Sequence, residues 1–427
     1  QTFQERFGGR SIPKSIPKIK NEPMAQSKFV IEGLAGKKML SGEIEVKGAK
    51  NAALKALPAS VLFEDEVVFE NLPEIEDVKR MQELLEGVIK GNTVLKKEVA
   101  ERLRASVVLT GPALARYGEV AFPFPGGCVL GERPIDLFLQ SFRAMGAEVE
   151  EKDDLFHLRA TGGKLKGARI FFPFVSVTAT ETMMLAAVLA DGETVLQNAA
   201  MEPEIPWLAN FLNACGAKIE GAGTNTIRVF GGKLLRAEGK ACVIMPDRIE
   251  AGSFCLLAAL AGKEVRITHC EPQAMSALLA LMRRADVDFE VGEDYVLVNG
   301  GNKENSAYRL SSARTHEYPG GPTDLQAPYA VFMTQCSGEG TILETIFDGR
   351  FQYVDALVRM GADITVMNPY KILVRGPRAL SRKTLEGPDL RAGLAYIIAA
   401  TVATGTSTIS NAYVIDRGYE HIEERFQ

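Results

Sequence analysis

Four segments of the chain look alike where a helical pattern gives way to a strand pattern. They are Gly146-Ala-Glu-Val-Glu, Gly216-Ala-Lys-Ile-Glu, Ala285-Asp-Val-Asp-Phe and Gly361-Ala-Asp-Ile-Thr. Their alanines, 147, 217, 285 and 362, stand 70, 68 and 77 residues apart. Two further landmarks keep step with them. Apolar stretches rich in small residues end at Gly192, Gly262, Gly340 and Gly405, each followed by a run of strand-forming residues. Glycine there suits the left-handed residue that follows a helix. The same stretches open on Ser176-Val-Thr, Pro246-Asp-Arg-Ile-Glu-Ala, Pro322-Thr-Asp-Leu-Gln-Ala and Pro388-Asp-Leu-Arg-Ala. Ser, Thr and Asp in these places can accept hydrogen bonds from the free N–H groups of a first helical turn. A repeat restricts the fold strongly, because every unit must bury an equivalent face. Each unit reads as a capped buried helix, a strand, an amphipathic helix (205–215 or 353–360) and a β-hairpin, which makes an α/β architecture. A period near 70 in 427 residues implies six units.

The stretches 178–189 and 252–260 are apolar almost all round, so they are expected inside the units. Their starts, and those at 322–326 and 388–391, then fall at equivalent places, and units packed about a common axis bring them together. Converging helix N-termini favour anions. The expectation is a site for a polyanionic substrate in a chain whose net charge is −5, which excludes a globally basic nucleic-acid binder. Six Cys form no CxxC pair and only four His occur, so neither a zinc ribbon nor a disulfide scaffold is expected. Free thiols suit a reducing compartment and a cytoplasmic placement. No run of 18 apolar residues suggests membrane insertion. Residues 1–27 read as a flexible tail without a secretory apolar core, with Met24 a candidate start.

Three loops break the packing logic. In Gly48-Ala-Lys50-Asn51-Ala-Ala a lysine opens an apolar helix against its dipole, which calls for a bound phosphate or carboxylate unless the lysine is solvated. In Phe124-Pro-Gly-Gly-Cys128-Val-Leu-Gly-Glu-Arg133-Pro-Ile-Asp136 a glycine-rich loop carries a cysteine near an arginine. That cysteine is either an activated thiol or a small core residue. The third group is the polar openers Asp247, Arg248, Asp324, Asp389 and Arg391, read either as N-caps or as site residues. Arg104, Arg350 and Arg417 lie in or near loops. The common nucleotide-loop, zinc-protease and serine-hydrolase motifs do not occur at suitable places.

Seven ordered motifs tie these residues to a known family. Gly48-Ala-Lys-Asn-Ala-Ala, Leu103-Arg-Ala-Ser, Pro125-Gly-Gly-Cys-Val-Leu-Gly-Glu-Arg-Pro, Asn198-Ala-Ala-Met-Glu-Pro-Glu-Ile, Pro246-Asp-Arg-Ile-Glu-Ala-Gly, Pro322-Thr-Asp-Leu-Gln-Ala and Ile415-Asp-Arg-Gly-Tyr-Glu-His-Ile-Glu resemble enolpyruvyl transferases of the UDP-N-acetylglucosamine 1-carboxyvinyltransferase family, from about Lys28 to the end. The resemblance implies an α/β fold, a two-domain inside-out α/β barrel built from six similar units. Residues 28–49 with 225–427 would form one domain and 50–224 the other. It implies transfer of the enolpyruvyl group of phosphoenolpyruvate to the 3′-hydroxyl of UDP-N-acetylglucosamine, a step of peptidoglycan precursor synthesis, with no metal or organic cofactor. The implied partners are those two small molecules, not nucleic acid or membrane. The 3-phosphoshikimate-using relative and a non-catalytic UDP-sugar-binding copy stand as alternatives.

By the resemblance, Cys128 is the loop acid and the thiol alkylated by fosfomycin, and Asp324 is the base. Lys50, Arg133 and Arg417 match positions that hold phosphoenolpyruvate, with Asp389 and Arg391 lining the same region. Asn51, Arg104, Asp324, Ile346, the run Arg133, Pro134, Ile135, Asp136, Leu137 and the run Phe174, Val175, Ser176, Val177 match positions that contact the UDP-sugar. Some positions depart from the pattern. Phe174 stands for a frequent Lys, Phe138 for a frequent His, Thr178 for a usual Gly, Thr226 for a frequent Arg, and Glu76 for a basic residue. These changes remove positive charge from the nucleotide side. The first unit's hairpin, after residue 84, reads as shortened, and the last unit's hairpin is expected beyond Gln427.

Overall fold

The computed structural model describes residues 27–126, 135–387 and 389–426. Helices and strands alternate, and among the described residues the strands form six small sheets. Two of them place the N-terminal strands beside late segments of the chain. Lys28–Glu32 runs antiparallel to Thr406–Ser410, and Leu40–Glu45 runs parallel to Gly262–Thr268.

The first landmark of the repeat has a geometric cause. Gly146, Gly216 and Gly361 take φ of 83°, 105° and 112° at the ends of helices Asp136–Ala144, Glu204–Ala214 and Val354–Met360. In the third copy the left-handed residue is Asp286 at 62°, two positions later than an alignment on the alanines puts it. Aspartate tolerates this backbone because its short side chain hydrogen-bonds locally. Ala217, Val287 and Ala362, each just past the left-handed residue, donate to the carbonyls of Leu212, Met282 and Leu357 at 3.0 Å. That is the helix-terminating bond expected of a Schellman end. The second landmark holds only in part. Gly192 and Gly405 are left-handed at 96° and 77°, but Gly262 is extended and Gly340 lies inside the strand Gly338–Leu343. At Gly262 and Gly340 the demand is for space, since an added Cβ would collide with Ala258 and Leu310.

The buried apolar residues form two clusters. One is built from residues between Ala49 and Met245, the other from Val46 and residues between Ile249 and Ile422. The strand Thr226–Phe230 pairs with Glu193–Gln197 and Lys218–Glu220, and its Ile227 and Val229 are buried in the first cluster. The first core therefore includes residues past 224, up to Met245. The chain passes between clusters twice, at residues 46–49 and 245–249, and the two passages touch through a bridge between Gly48 and Pro246. A side chain at Gly48 would strike the Asn71 carbonyl, so glycine is needed for this approach. Helices Lys50–Ala59 and Arg248–Ala261 start at these passages, which puts their first turns side by side.

The apolar stretches become helices Val177–Ala187 and Arg248–Ala261, buried as expected. In the first unit no hairpin occupies residues 90–103; a short helix, Lys97–Ala100, lies there instead.

Candidate active site

Lys50 begins its helix without a side-chain cap and is only 7% exposed, which excludes a solvated lysine. Its backbone N–H points to Asp247 Oδ2 at 3.4 Å, and its ammonium pairs with Asp77 Oδ2 at 2.7 Å. Asp77 lies in the first turn of helix Glu76–Ile89 and also accepts from Arg417 Nε at 2.9 Å. A second carboxylate, Asp324, takes Arg350 at 2.6 Å and Arg391 at 3.3 Å. Arg391 also donates to the Tyr419 hydroxyl at 3.0 Å. Four cations thus face the two carboxylates Asp77 and Asp324.

The neighbours act on each other. Burial lowers the Lys50 pKa, Asp77 opposes this, and Arg391 and Arg417 lower it further. Burial alone would raise the Asp77 carboxyl, but Lys50 and Arg417 outweigh it and hold the group below the usual range. Asp324 follows the same rule, with Arg391 and Arg350 holding it far below that range.

The polar helix openers divide into two kinds. Asp247 accepts from the N–H groups of Ile249 and Glu250, and Asp389 from those of Arg391 and Ala392, so both cap their own helices. In Pro322-Thr-Asp an extra residue moves Asp324 past the capping position. It enters the short turn Thr323–Leu325 and is left to the arginines. Buried Glu344 fixes this turn, accepting from Thr315, Thr323 and Gln326 side chains at 2.9, 2.7 and 2.7 Å and from the N–H groups of Ile346 and Phe347.

Beside the cations opens a cleft of about 590 Å³. Of the residues expected to contact the acceptor, Asn51, Arg104, Leu137, Phe174, Val175, Ser176, Val177, Asp324 and Ile346 line it. Ser176 caps helix Val177–Ala187 by accepting from Ala179 N at 3.3 Å. Arg104 donates to the Pro125 carbonyl at 3.2 Å, beside the glycine-rich loop. Two expected residues are not in the lining. Ile135 is buried in the first core, and Asp136 is exposed at the start of its helix. Lys50, Arg391 and Arg417 belong to the cation cluster rather than to the lining, and Asp389 caps the helix that carries Arg391. Cys128, Arg133 and Pro134 lie outside the described residues.

Among the departures, Phe174, Phe138 and Thr178 face the cleft, and Phe174 is 55% exposed. Thr226 lies on a strand away from it, and Glu76 pairs with Arg80 one turn along its helix at 3.1 Å. Asp77, Glu344 and Tyr419 were not singled out from sequence. An acid in a first helical turn reads as a dipole partner, and an acid in a strand reads as a surface residue. The five described cysteines, 215, 242, 255, 270 and 336, are free and buried. Burial pushes the thiol of Cys270 up to about 11 and that of Cys242 to about 12, so they are poor nucleophiles.

The family model described as EPSP synthase (3-phosphoshikimate 1-carboxyvinyltransferase) matches residues 34–426. A UDP-N-acetylglucosamine 1-carboxyvinyltransferase of Koribacter versatilis is 40% identical over 420 residues, which covers 94% of each chain. Its counterpart in Shewanella piezotolerans is 41% identical over 405 residues, covering 91% of this chain and 95% of its own. Among solved structures, the enolpyruvyl transferase NikO of Streptomyces tendae superposes with a TM-score of 0.80 at 22% identity, over 94% of this chain and 97% of that one. An EPSP synthase of Acinetobacter baumannii gives 0.63 at 18%, over 92% and 96%. The chain belongs to the EPSP synthase (3-phosphoshikimate 1-carboxyvinyltransferase) family of enolpyruvyl transferases, among relatives named UDP-N-acetylglucosamine 1-carboxyvinyltransferase.

Proposed function

We propose that this chain transfers the enolpyruvyl group of phosphoenolpyruvate to the 3′-hydroxyl of UDP-N-acetylglucosamine and releases phosphate. The observation that carries this reading is the cluster of Lys50, Arg350, Arg391 and Arg417, in positive excess, beside a cleft large enough for a nucleotide sugar. A small molecule bearing a phosphate and a carboxylate matches that excess. In the addition step the hydroxyl oxygen bonds to C2 of the enol phosphate, C3 takes a proton, and the hydroxyl proton goes to a base. In the elimination step the C2–O bond to phosphate breaks and C3 gives its proton back.

Asp324 lies where the cleft meets the cations and suits the base, while Cys128 on the glycine-rich loop suits the acid. An incoming anion that engages Arg391 loosens that residue's hold on Asp324 and restores its basicity. The two apolar clusters and six sheets support two domains of three units each in an inside-out barrel, with the first domain extended to about residue 245. The five described cysteines, free and buried, suit a cytoplasmic enzyme of cell-wall precursor synthesis.

Phosphate release from phosphoenolpyruvate should require UDP-N-acetylglucosamine and should not respond to 3-phosphoshikimate. Turnover with 3-phosphoshikimate instead would reassign the enzyme, and binding of the UDP-sugar without turnover would mark a non-catalytic copy. Fosfomycin should add once per chain, at Cys128, because the five described thiols are buried. Cys128→Ser should lower turnover about 10²- to 10⁴-fold, the usual weight of a general acid. Cys128→Asp should keep more activity than Cys128→Ser while escaping the label. An unlabelled Cys128 by mass spectrometry contradicts the assignment.

A further inference from the structure

Two charged residues interrupt two buried apolar helices, and they meet at the cleft. Lys55 lies one turn after Asn51 in helix Lys50–Ala59, and Glu181 lies in the middle of helix Val177–Ala187. Both line the cleft, their charged atoms 3.3 Å apart, and Glu181 is only 1% exposed. Glu202 and Glu204 line the same wall. Glu202 accepts from Tyr318 N at 3.4 Å, and Glu204 accepts from Arg248 Nε at 3.1 Å. Neither oxygen of Glu181 takes a hydrogen bond, nor does one oxygen of Glu202 and one of Glu204. Burying a carboxyl without hydrogen bonds is costly, and such groups in a cleft point to a partner that arrives with the ligand.

The wall sets three carboxyl groups against Lys55 and Arg248, so it offers phosphate no excess of positive charge. We propose that Glu181 is a specificity-determining residue on the acceptor side, exchanging hydrogen bonds with the uncharged amide and hydroxyl groups of the sugar and turning the diphosphate away from this wall. The proposal rests on the acceptor being the UDP-sugar proposed above. Burial, opposed by Lys55 and reinforced by Glu204 and Glu202, pushes the Glu181 carboxyl up to about 8. Glu181 is then largely neutral at pH 7 and can donate as well as accept. Lys55 faces it from one helix and Glu202 and Glu204 from the 202–204 segment, while Arg104, Arg248, His316, Glu317 and Asp324 complete the charged and titratable lining of the cleft. The packed helices Thr110–Tyr117 and Asp136–Ala144 add no charged residue to the cleft lining among the described residues.

The test is the KM of each substrate from pH 6.5 to 9.5. For the wild type, the KM for UDP-N-acetylglucosamine should rise about tenfold above pH 8, as Glu181 ionises beside a doubly charged ligand, while that for phosphoenolpyruvate does not follow it. Glu181→Gln stays neutral at every pH and should lose this rise. The paired variant Lys55→Met with Glu181→Val keeps the packing without leaving a lone buried charge, and should raise the acceptor KM about five- to tenfold at pH 7. Its thermal melt shows whether it folds. Wild-type turnover combined with acceptor KM curves that superimpose for Glu181→Gln overturns the proposal alone. A wild type that releases no phosphate with this acceptor ends the functional reading, and the proposal with it.

Discussion

Asp324→Asn should lower kcat about 10²- to 10⁴-fold, the range spanned by losing a general base. Asparagine keeps the shape of the side chain but cannot accept the hydroxyl proton. It also leaves Arg350 and Arg391 without the carboxylate that sits 2.6 and 3.3 Å from them. The pH profiles test the mechanism more finely than the rate does. In the free protein the two guanidiniums, against the opposing effect of burial, hold Asp324 far below the usual carboxylate range. The profile of kcat/KM, which reports the free enzyme, should therefore show no acid limb from Asp324 in the working range. Once phosphoenolpyruvate draws Arg391 away, the carboxyl binds its proton more tightly, so the acid limb of kcat should lie at higher pH than that of kcat/KM. An Asp324→Asn enzyme within tenfold of the wild type would exclude the residue as the base. Coincident acid limbs would exclude the release by Arg391.

The legible part of this protein was local in sequence. The glycine helix ends at 146, 216 and 361, the buried helices and the caps at Asp247 and Asp389 follow from patterns a few residues long, and each has a physical cause within one helix turn. The single extra residue in Pro322-Thr-Asp also separates Asp324 from the two capping aspartates, so its different role was readable. The unreadable parts come from pairings across the chain. Lys50 announces a missing counter-charge, but its partner Asp77 comes from another helix, and Arg417 reaches the same carboxylate from 340 positions later. The Lys55–Glu181 contact is similar, since each residue alone reads as a misplaced charge and only the meeting of two helices makes them a pair. The slipped third copy shows the opposite error. Shared alanines suggested a register that the left-handed backbone at Asp286 does not follow.

Removing Asp77 should be the most destabilising single change at the site. Its carboxylate is 4% exposed and neutralises Lys50 and Arg417, themselves 9% and 13% exposed. Asp77→Asn keeps the shape but leaves two buried cations facing each other and Arg391. Breaking a buried pair in this way costs roughly 3–5 kcal/mol. The dependence on pH has a definite sign. Burial opposes ionisation of Asp77, but Lys50 and Arg417 prevail and its folded pKa is lowered. Its stabilisation is thus fully present above the unfolded value of about 4 and is lost as pH falls through the lower folded value. The gap in stability between wild type and Asp77→Asn should stay constant from pH 8 to 5 and narrow below about 4. Anions supply an independent check. With Asp77 gone, the cation cluster lacks a counter-charge that inorganic phosphate or phosphoenolpyruvate can replace. Ligand at a hundred times its Kd adds about 2.7 kcal/mol to the folded state, so phosphate should raise the Tm of Asp77→Asn more than that of the wild type. Equal phosphate shifts in the two proteins would mean that Asp77 does not compete with the substrate anion for these cations, and that the cluster is held together for packing rather than for binding.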